Sequence, residues 1–193
     1  MDLLREYGFL SCLGRRHRIG LSLLVLCFLA FIMASTSVQA AGFALDVNVG
    51  HTAPSDSDFR GDAAADVSAS MLAGRWTYRV GYTVLGELSL RDSLNDTYID
   101  VSGAYLQFNH TLPFDWLDID LGGGAFFARS EAFFGGNSVA KERDVRPFVE
   151  VRAIKPVSSL IAVQVGIRYF NDVSGSDLSL IHAGIRLNVG GDR

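Results

Sequence analysis

The segment 160–170, LIAVQVGIRYF, decides the fold because its residues alternate between two kinds of side chain. The odd positions from 161 to 169 are all apolar, whereas Gln164, Gly166 and Arg168 lie between them. Successive side chains of a β-strand point to opposite faces, so this alternation predicts a strand with one apolar and one polar face.

The same alternation recurs along the chain from residue 42 and predicts eight strands in one domain. The predicted strands are 42–51, 67–74, 78–91, 98–110, 117–129, 144–154, 160–170 and 181–189. In 98–110 the apolar pair Ile99 and Val101 is out of phase with Leu106 and Phe108. We therefore expect a bulge near Gly103, since one extra residue reverses the phase of a strand. No segment with a helical period interrupts the series, which indicates an all-β fold.

The connections between the predicted strands alternate in length. We expect long polar loops at 52–66 and 130–142, and shorter ones at 92–97 and 171–176. Tight turns are predicted near 75–77, 111–116 and 155–159. Longer loops at one end, short turns at the other and an even number of strands are typical of outer-membrane barrels, whose termini lie in the periplasm.

The composition of the polar face favours a membrane barrel over a soluble one. A soluble eight-stranded barrel points its polar side chains outward. Here the polar face is mainly Gly, Ser, Ala, Asn and Asp, and the chain has only two lysines, Lys141 and Lys155. Aromatic residues gather near the predicted strand ends, as at a membrane interface: Phe43, Trp76, Tyr78, Tyr98, Phe114, Trp116, Phe127, Tyr169 and Phe170. The sequence predicts an eight-stranded antiparallel up-and-down transmembrane β-barrel.

The first forty residues have the three parts of a secretory signal peptide. Residues 15–18 are basic, 19–33 are almost entirely apolar, and 35–40 are mostly small or polar. The apolar run is shorter than the ~20 residues that a membrane-spanning helix needs. We predict a signal peptide at 1–40, cleavage after Ala40 or Ala41, and a barrel domain at 41–193. Export to the bacterial outer membrane follows from this prediction.

Two stretches resemble the small outer-membrane β-barrels of the OmpA/OmpX type. They are Ala41-Gly42-Phe43 with the alternating strand that follows, and residues 72–82, LAGRWTYRVGY. The resemblance implies the barrel domain only, without a peptidoglycan-binding domain. It also implies a monomer whose partners are outer-membrane lipid, lipopolysaccharide and the outer-membrane assembly machinery.

Charged residues on the polar face are predicted to form a network inside the barrel. Five acids and five arginines share this face: Asp46, Arg79, Glu87, Asp118, Asp120, Arg146, Glu150, Arg152, Arg168 and Arg186. An unpaired charge in a narrow interior is costly, so the near-balance favours a paired network that fills the space. An ion path or gate is the alternative.

No catalytic, cofactor-binding or metal-binding residue is predicted. Both cysteines, Cys12 and Cys27, lie in the predicted signal peptide, and the net charge of −4 argues against nucleic-acid binding. We expect a non-enzymatic barrel that contributes to envelope integrity or to surface interaction, with a host or surface ligand bound through loops 52–66 and 130–142. The alternatives are a small porin-like channel and, less favoured, a lipid-modifying enzyme of the outer membrane.

Overall fold

The computed structural model describes residues 42–56, 58–90 and 97–189, and nearly all of them lie in β-strands. The predicted signal peptide and its cleavage site lie outside these residues. Eight long strands, labelled here in chain order, form the barrel: β1 (Gly42–Pro54), β2 (Ala63–Ala73), β3 (Trp76–Leu90), β4 (Thr97–Pro113), β5 (Asp118–Phe134), β6 (Asn137–Pro156), β7 (Ile161–Val173) and β8 (Ser176–Val189). A two-residue strand, Phe59–Arg60, pairs with β3 and is not counted among the eight.

The eight strands close into a ring. Each is antiparallel to the next along the chain, and β1 pairs with β8 from Phe43↔Val189 to Pro54↔Leu178. Closure gives every spanning strand two hydrogen-bonded neighbours, which is what a sheet needs where no water is present. The structure therefore confirms the predicted eight-stranded antiparallel up-and-down barrel. No helix within the described residues is long and apolar enough to cross a membrane.

The apolar face of the strands is the outer face. On β7, Val163, Val165 and Ile167 are each about half exposed, whereas the intervening Gln164 and Arg168 are buried. The same alternation on the other strands leaves a band of exposed valine, leucine and isoleucine around the barrel. This apolar belt has the orientation expected of a sheet that faces lipid rather than water.

Exposed aromatic side chains border the belt at the end of the barrel where β1 begins and β8 ends, called here the lower end. Trp76 stacks on Phe108 with ring centroids 4.6 Å apart, and Phe114 and Trp116 are exposed in the β4–β5 turn. Phe170 departs from the predicted set, because its side chain is fully buried inside the barrel. It contacts Phe126 in the interior at a centroid distance of 4.9 Å.

The predicted bulge near Gly103 is wrong. Strand β4 keeps one phase throughout, with Val101, Tyr105 and Gln107 all buried on the inner face. The bulge lies on the neighbouring strand β3, where the register shifts between Val84 and Gly86. Gly86 has a φ of 80°, which glycine adopts without strain. Val101 is apolar and points inward because the interior is apolar at that height.

Two connections at the upper end, those predicted at 52–66 and 130–142, are shorter than predicted. The pairing of β5 with β6 continues to Phe134↔Asn137, so 130–142 is a β-hairpin with a two-residue turn at Gly135 and Gly136. Strands β1 and β2 likewise extend into 52–66 and leave a connection of 55–62. Beyond the membrane both faces of a hairpin meet water, which removes the apolar–polar alternation that marks a strand in the sequence.

Candidate functional site

The lower and middle part of the interior holds a buried ionic network. Four arginines and four carboxylates, none more than 3% exposed, make up its charged members: Arg79, Arg152, Arg168, Arg186, Asp46, Asp66, Asp120 and Glu150. The numbers of positive and negative charges are equal, apart from any charge on His182. The alternation of inward and outward positions places all eight in the interior, and the narrow bore of an eight-stranded barrel brings them into contact.

Glu150, in the middle of β6, is the centre of the network. Its Oε2 accepts hydrogen bonds from Arg152 Nη2 at 2.6 Å and Arg79 Nη1 at 3.3 Å, and also from the Gln107 amide. Its Oε1 lies 3.3 Å from Arg168 Nη2 and 2.8 Å from His182 Nε2. One carboxylate thus joins three arginines that come from three different strands.

A second group of contacts surrounds Asp46 on β1. Arg186 Nε donates to Asp46 Oδ1 at 2.8 Å, and Ser70 Oγ donates to Oδ2 at 3.0 Å. Arg79 Nε lies 3.3 Å from the same Oδ2, so Arg79 bridges Asp46 and Glu150. Asp120 Oδ2 lies farther away, 3.8 Å from Arg79 and 3.7 Å from Arg186.

Asp66 extends the network upward on β2. Its carboxylate accepts hydrogen bonds from Asn48 Nδ2 at 2.9 Å, from Thr83 Oγ1 at 2.7 Å and from Arg168 Nη1 at 3.3 Å. Arg168 therefore bridges Asp66 and Glu150 across the interior. The network spans the bore from β1 through β3, β5 and β6 to β8.

The upper part of the interior is apolar. Its buried members pack as one cluster and include Leu85, Leu88, Val101, Tyr105, Phe126, Phe148, Phe170, Leu178 and Leu180. Arg168 forms the boundary between the two parts, with its guanidinium carbon 4.3 Å from the centroid of the Tyr105 ring. The ring itself packs against Gly81, where an added Cβ would lie 2.6 Å from Tyr105 Cζ. Larger residues at such inward positions would not fit.

Seven of the ten residues predicted for the interior network lie in it. Glu87 does not, because the bulge in β3 reverses the phase and leaves its side chain exposed. Arg146 is inward in phase but lies at the upper rim, where it pairs with Asp172 at 2.7 Å and Asp144 at 2.5 Å. Asp118 lies on the inner face at the lower rim and is only partly buried.

Two network residues were missing from the predicted set. Asp66 was assigned to the loop 52–66, although it shares the phase of the buried Ser68 and Ser70 on β2. His182 shares the phase of Arg186 on β8, and its ring contacts Glu150. The period-two pattern, extended one residue upstream for β2, places Asp66 on the inner face, and the predicted strand 181–189 already contains His182 at an inward position.

The chemistry of these groups is that of a charge-balanced core. Within the described parts of the chain, no three His, Cys, Asp or Glu residues are grouped so that they could hold a metal ion. Ionic contacts occupy the lower interior and an apolar cluster closes the upper interior. Side chains of the barrel itself therefore occupy both the lower and the upper part of the bore.

Comparison with solved structures identifies the class of fold. The chain has the fold of the small OmpA/OmpX-like outer-membrane β-barrels. No family model and no curated protein sequence matches it. Neisserial surface protein A (NspA) is similar with a TM-score of 0.59 at 18% identity, over 77% of this chain and 99% of that one.

Two further structures share the fold at lower identity. The N-terminal β-barrel domain of Pseudomonas aeruginosa OprF has a TM-score of 0.56 at 5% identity, over 76% of this chain and 97% of that one. Ail, the attachment invasion locus protein of Yersinia pestis, in complex with the heparin analogue sucrose octasulfate, has a TM-score of 0.52 at 6% identity. That match covers 77% of this chain and 97% of Ail. At these identities the likeness concerns the fold alone.

Proposed function

We propose that the chain is an integral outer-membrane barrel with a sealed interior and no enzymatic activity. Its function then depends on contacts made by its exposed surface. The observation that carries this proposal is the filled interior, in which four arginines and four carboxylates lie beneath an apolar cluster. A barrel of eight strands has a bore just wide enough for side chains to fill. Because side chains occupy the bore, a porin-like channel is the less favoured alternative.

The surface that remains available for interaction lies at the upper end. The hairpin of β5 and β6 extends beyond the point where β6 stops pairing with β7, at Phe148↔Phe170. Phe134 and Val139 are exposed on this hairpin. We propose that the hairpin, together with the connection 55–62, contacts a host or surface ligand. The fold shared with Ail, an attachment protein by name, supports a surface role of this kind.

The remaining proposed partners follow from insertion in the membrane. They are outer-membrane lipid, lipopolysaccharide and the assembly machinery, with the barrel acting as a monomer. A closed ring of strands leaves no open edge within the belt that would need a second copy. Export through the predicted signal peptide would place the upper end outside the cell and the lower end in the periplasm.

Insertion is tested by placing a charge on the outer face. Val165→Arg lies at mid-strand in the belt, and we expect it to destabilise the inserted barrel by about 2–4 kcal/mol. Val157→Arg is the matched control, since Val157 is exposed in the turn between β6 and β7 at the lower end. The measurement is the fraction of heat-modifiable protein in the membrane fraction. Equal effects of the two substitutions would contradict insertion.

Enzymatic activity is tested separately on the lipid. Cells that overproduce the protein should contain lipid A of unchanged mass, because the proposed function is non-enzymatic. A deacylated or otherwise modified lipid A in the mass spectrum, absent from cells with an empty vector, would support the lipid-modifying alternative instead.

A further inference from the structure

Two arginines lie directly beyond the apolar belt at its upper margin. Outward-facing residues of β5 are uncharged from Ile119 to Phe127, and those of β6 are uncharged from Val145 to Ala153. Each run is about the length of strand that crosses the hydrocarbon region. The next outward position toward the upper end is Arg129 on β5 and Arg143 on β6.

These two arginines are direct neighbours across the strand pair. The register places Arg129 opposite Arg143. Like charges that face each other across a strand pair destabilise the sheet, unless a group of opposite charge contacts both of them. Their shared position thus creates a local concentration of positive charge on the outer surface.

Carboxylates in the described part of the chain compensate this charge poorly. Arg129 Nη2 lies 3.6 Å from Glu131, whose other oxygen is bound by Lys141 at 2.9 Å. Arg143 is exposed and forms no ion pair or side-chain hydrogen bond with any residue that the structure describes. The outward acids Asp100 and Glu131 lie one row farther from the membrane, opposite each other. The order along the surface is therefore apolar, then basic, then acidic.

The basic pair is local rather than part of a ring around the barrel. On β1, β4, β7 and β8, the outward position that follows the belt holds a histidine or a residue without an ionisable side chain: His51, Ser102, Asn171 and Ser179. Lys155 flanks the belt on β6, but at the opposite, lower margin. Among these six strands, arginine follows the belt at the upper margin on β5 and β6 alone.

We propose that Arg129 and Arg143 together bind a phosphate group of lipid A in the outer leaflet. Guanidinium groups bind phosphate through paired, charge-assisted hydrogen bonds, and two of them suit one doubly charged group. Phe127 and Val145 lie one row below, where the acyl chains of the same lipid would contact them. This inference rests on the proposed insertion in the outer membrane and names the residues that contact its lipid.

The test measures lipid binding to the folded barrel in detergent. Diphosphoryl lipid A is titrated into the full mature protein in dodecylmaltoside micelles, and bound lipid is counted by native mass spectrometry. Each of Arg129→Gln and Arg143→Gln should weaken binding about 5-fold, and the double variant about 25-fold. Lys155→Gln, at the lower margin, is the matched control and should bind lipid A like the unmutated protein.

A charge-preserving variant separates the effect of lost charge from other effects of the substitutions. Arg129→Lys combined with Arg143→Lys keeps both charges and should bind lipid A more tightly than the double glutamine variant. Heat modifiability shows in each case that the barrel is folded. If the folded double glutamine variant binds lipid A as tightly as the unmutated protein, the inference is wrong. Failure of the unmutated protein to insert in membranes would instead contradict the proposed function itself.

Two competitors distinguish the lipid from other anions. Inorganic phosphate or sucrose octasulfate, at the concentration of the lipid, should leave the bound lipid A unchanged, because neither contacts the apolar belt. Displacement of the lipid by inorganic phosphate would identify a free-anion site instead. Arginine-dependent binding of sucrose octasulfate that displaces lipid A would identify a site for a sulfated sugar. Either result would overturn the proposal.

Discussion

The lower and upper parts of the interior are built from the same strands, yet the lower part is ionic and the upper part apolar. On β6, Glu150 and Phe148 are neighbours on the inner face, and on β7 Arg168 is followed two positions later by Phe170. Both of these strands therefore change from a charged to an apolar side chain between consecutive inward positions. The comparison shows that the position of a residue in the alternation of a strand, and not the polarity of its side chain, determines whether it points inward.

The two parts also close the barrel by different physical means. The ionic part depends on exact partners, because a buried charge left alone carries a large desolvation penalty. The apolar part depends on volume, because the cost of a smaller side chain is the lost contact area and the cavity that remains. Substitutions in the two parts should therefore fail in different ways.

The largest effect is expected at the centre of the ionic part. Glu150→Ala removes the carboxylate that Arg79, Arg152 and Arg168 share, and leaves the buried network with one positive charge in excess. We expect the free energy of unfolding to fall by about 3–5 kcal/mol. The measurement is urea unfolding in lipid vesicles, followed by tryptophan fluorescence. Glu142→Ala, on the exposed part of β6, is the control and should change stability by less than about 0.5 kcal/mol.

A somewhat smaller effect is expected in the apolar part. Leu85→Ala removes a fully buried side chain of the upper cluster, on the inner face of β3 beside the bulge. We expect a loss of about 2–4 kcal/mol in the same unfolding assay. Leu160→Ala, in the exposed lower turn between β6 and β7, should cost much less. A loss no larger at Leu85 than at Leu160 would show that the upper cluster does not contribute to stability.

The smallest effect is expected at the rim, where an arginine of the inner face meets water. Arg146 pairs with Asp144 and Asp172, but all three side chains are partly exposed. We expect Arg146→Ala to cost less than about 1 kcal/mol. High salt should weaken this small contribution further and leave the penalty of Glu150→Ala nearly unchanged, because buried pairs are little screened. Equal salt dependence at the two sites would contradict the division between rim and interior.

The sequence alone was sufficient for the strands and for their faces in the membrane. The outward phase of Val163 and Val165 and the inward phase of Gln164 and Arg168 are as predicted, because lipid and a narrow interior select different side chains at alternate positions. Phe126 and Phe148 share the inward phase of their strands and are buried, although both are apolar.

Prediction failed where that selection stops. Beyond the membrane, water meets both faces of the β5–β6 hairpin, so the sequence 130–142 carried no strand signal. Inside the upper part, Ile99 and Val101 are apolar and inward, which imitated a change of phase and suggested a bulge on the wrong strand. Glu87 was predicted to point inward because the true bulge, on β3, was not predicted. Register between strands, which period two does not encode, was needed to resolve these cases.

The most direct test of the proposed sealed interior is electrical conductance. Purified, refolded protein is added to a planar lipid bilayer, and single-channel currents are recorded at increasing voltage. Because ionic and apolar side chains fill the bore in series, the unmutated protein should give no stable currents of the size seen for open porins. Regular, porin-sized conductance steps from the unmutated protein would contradict the sealed interior and support a passive channel.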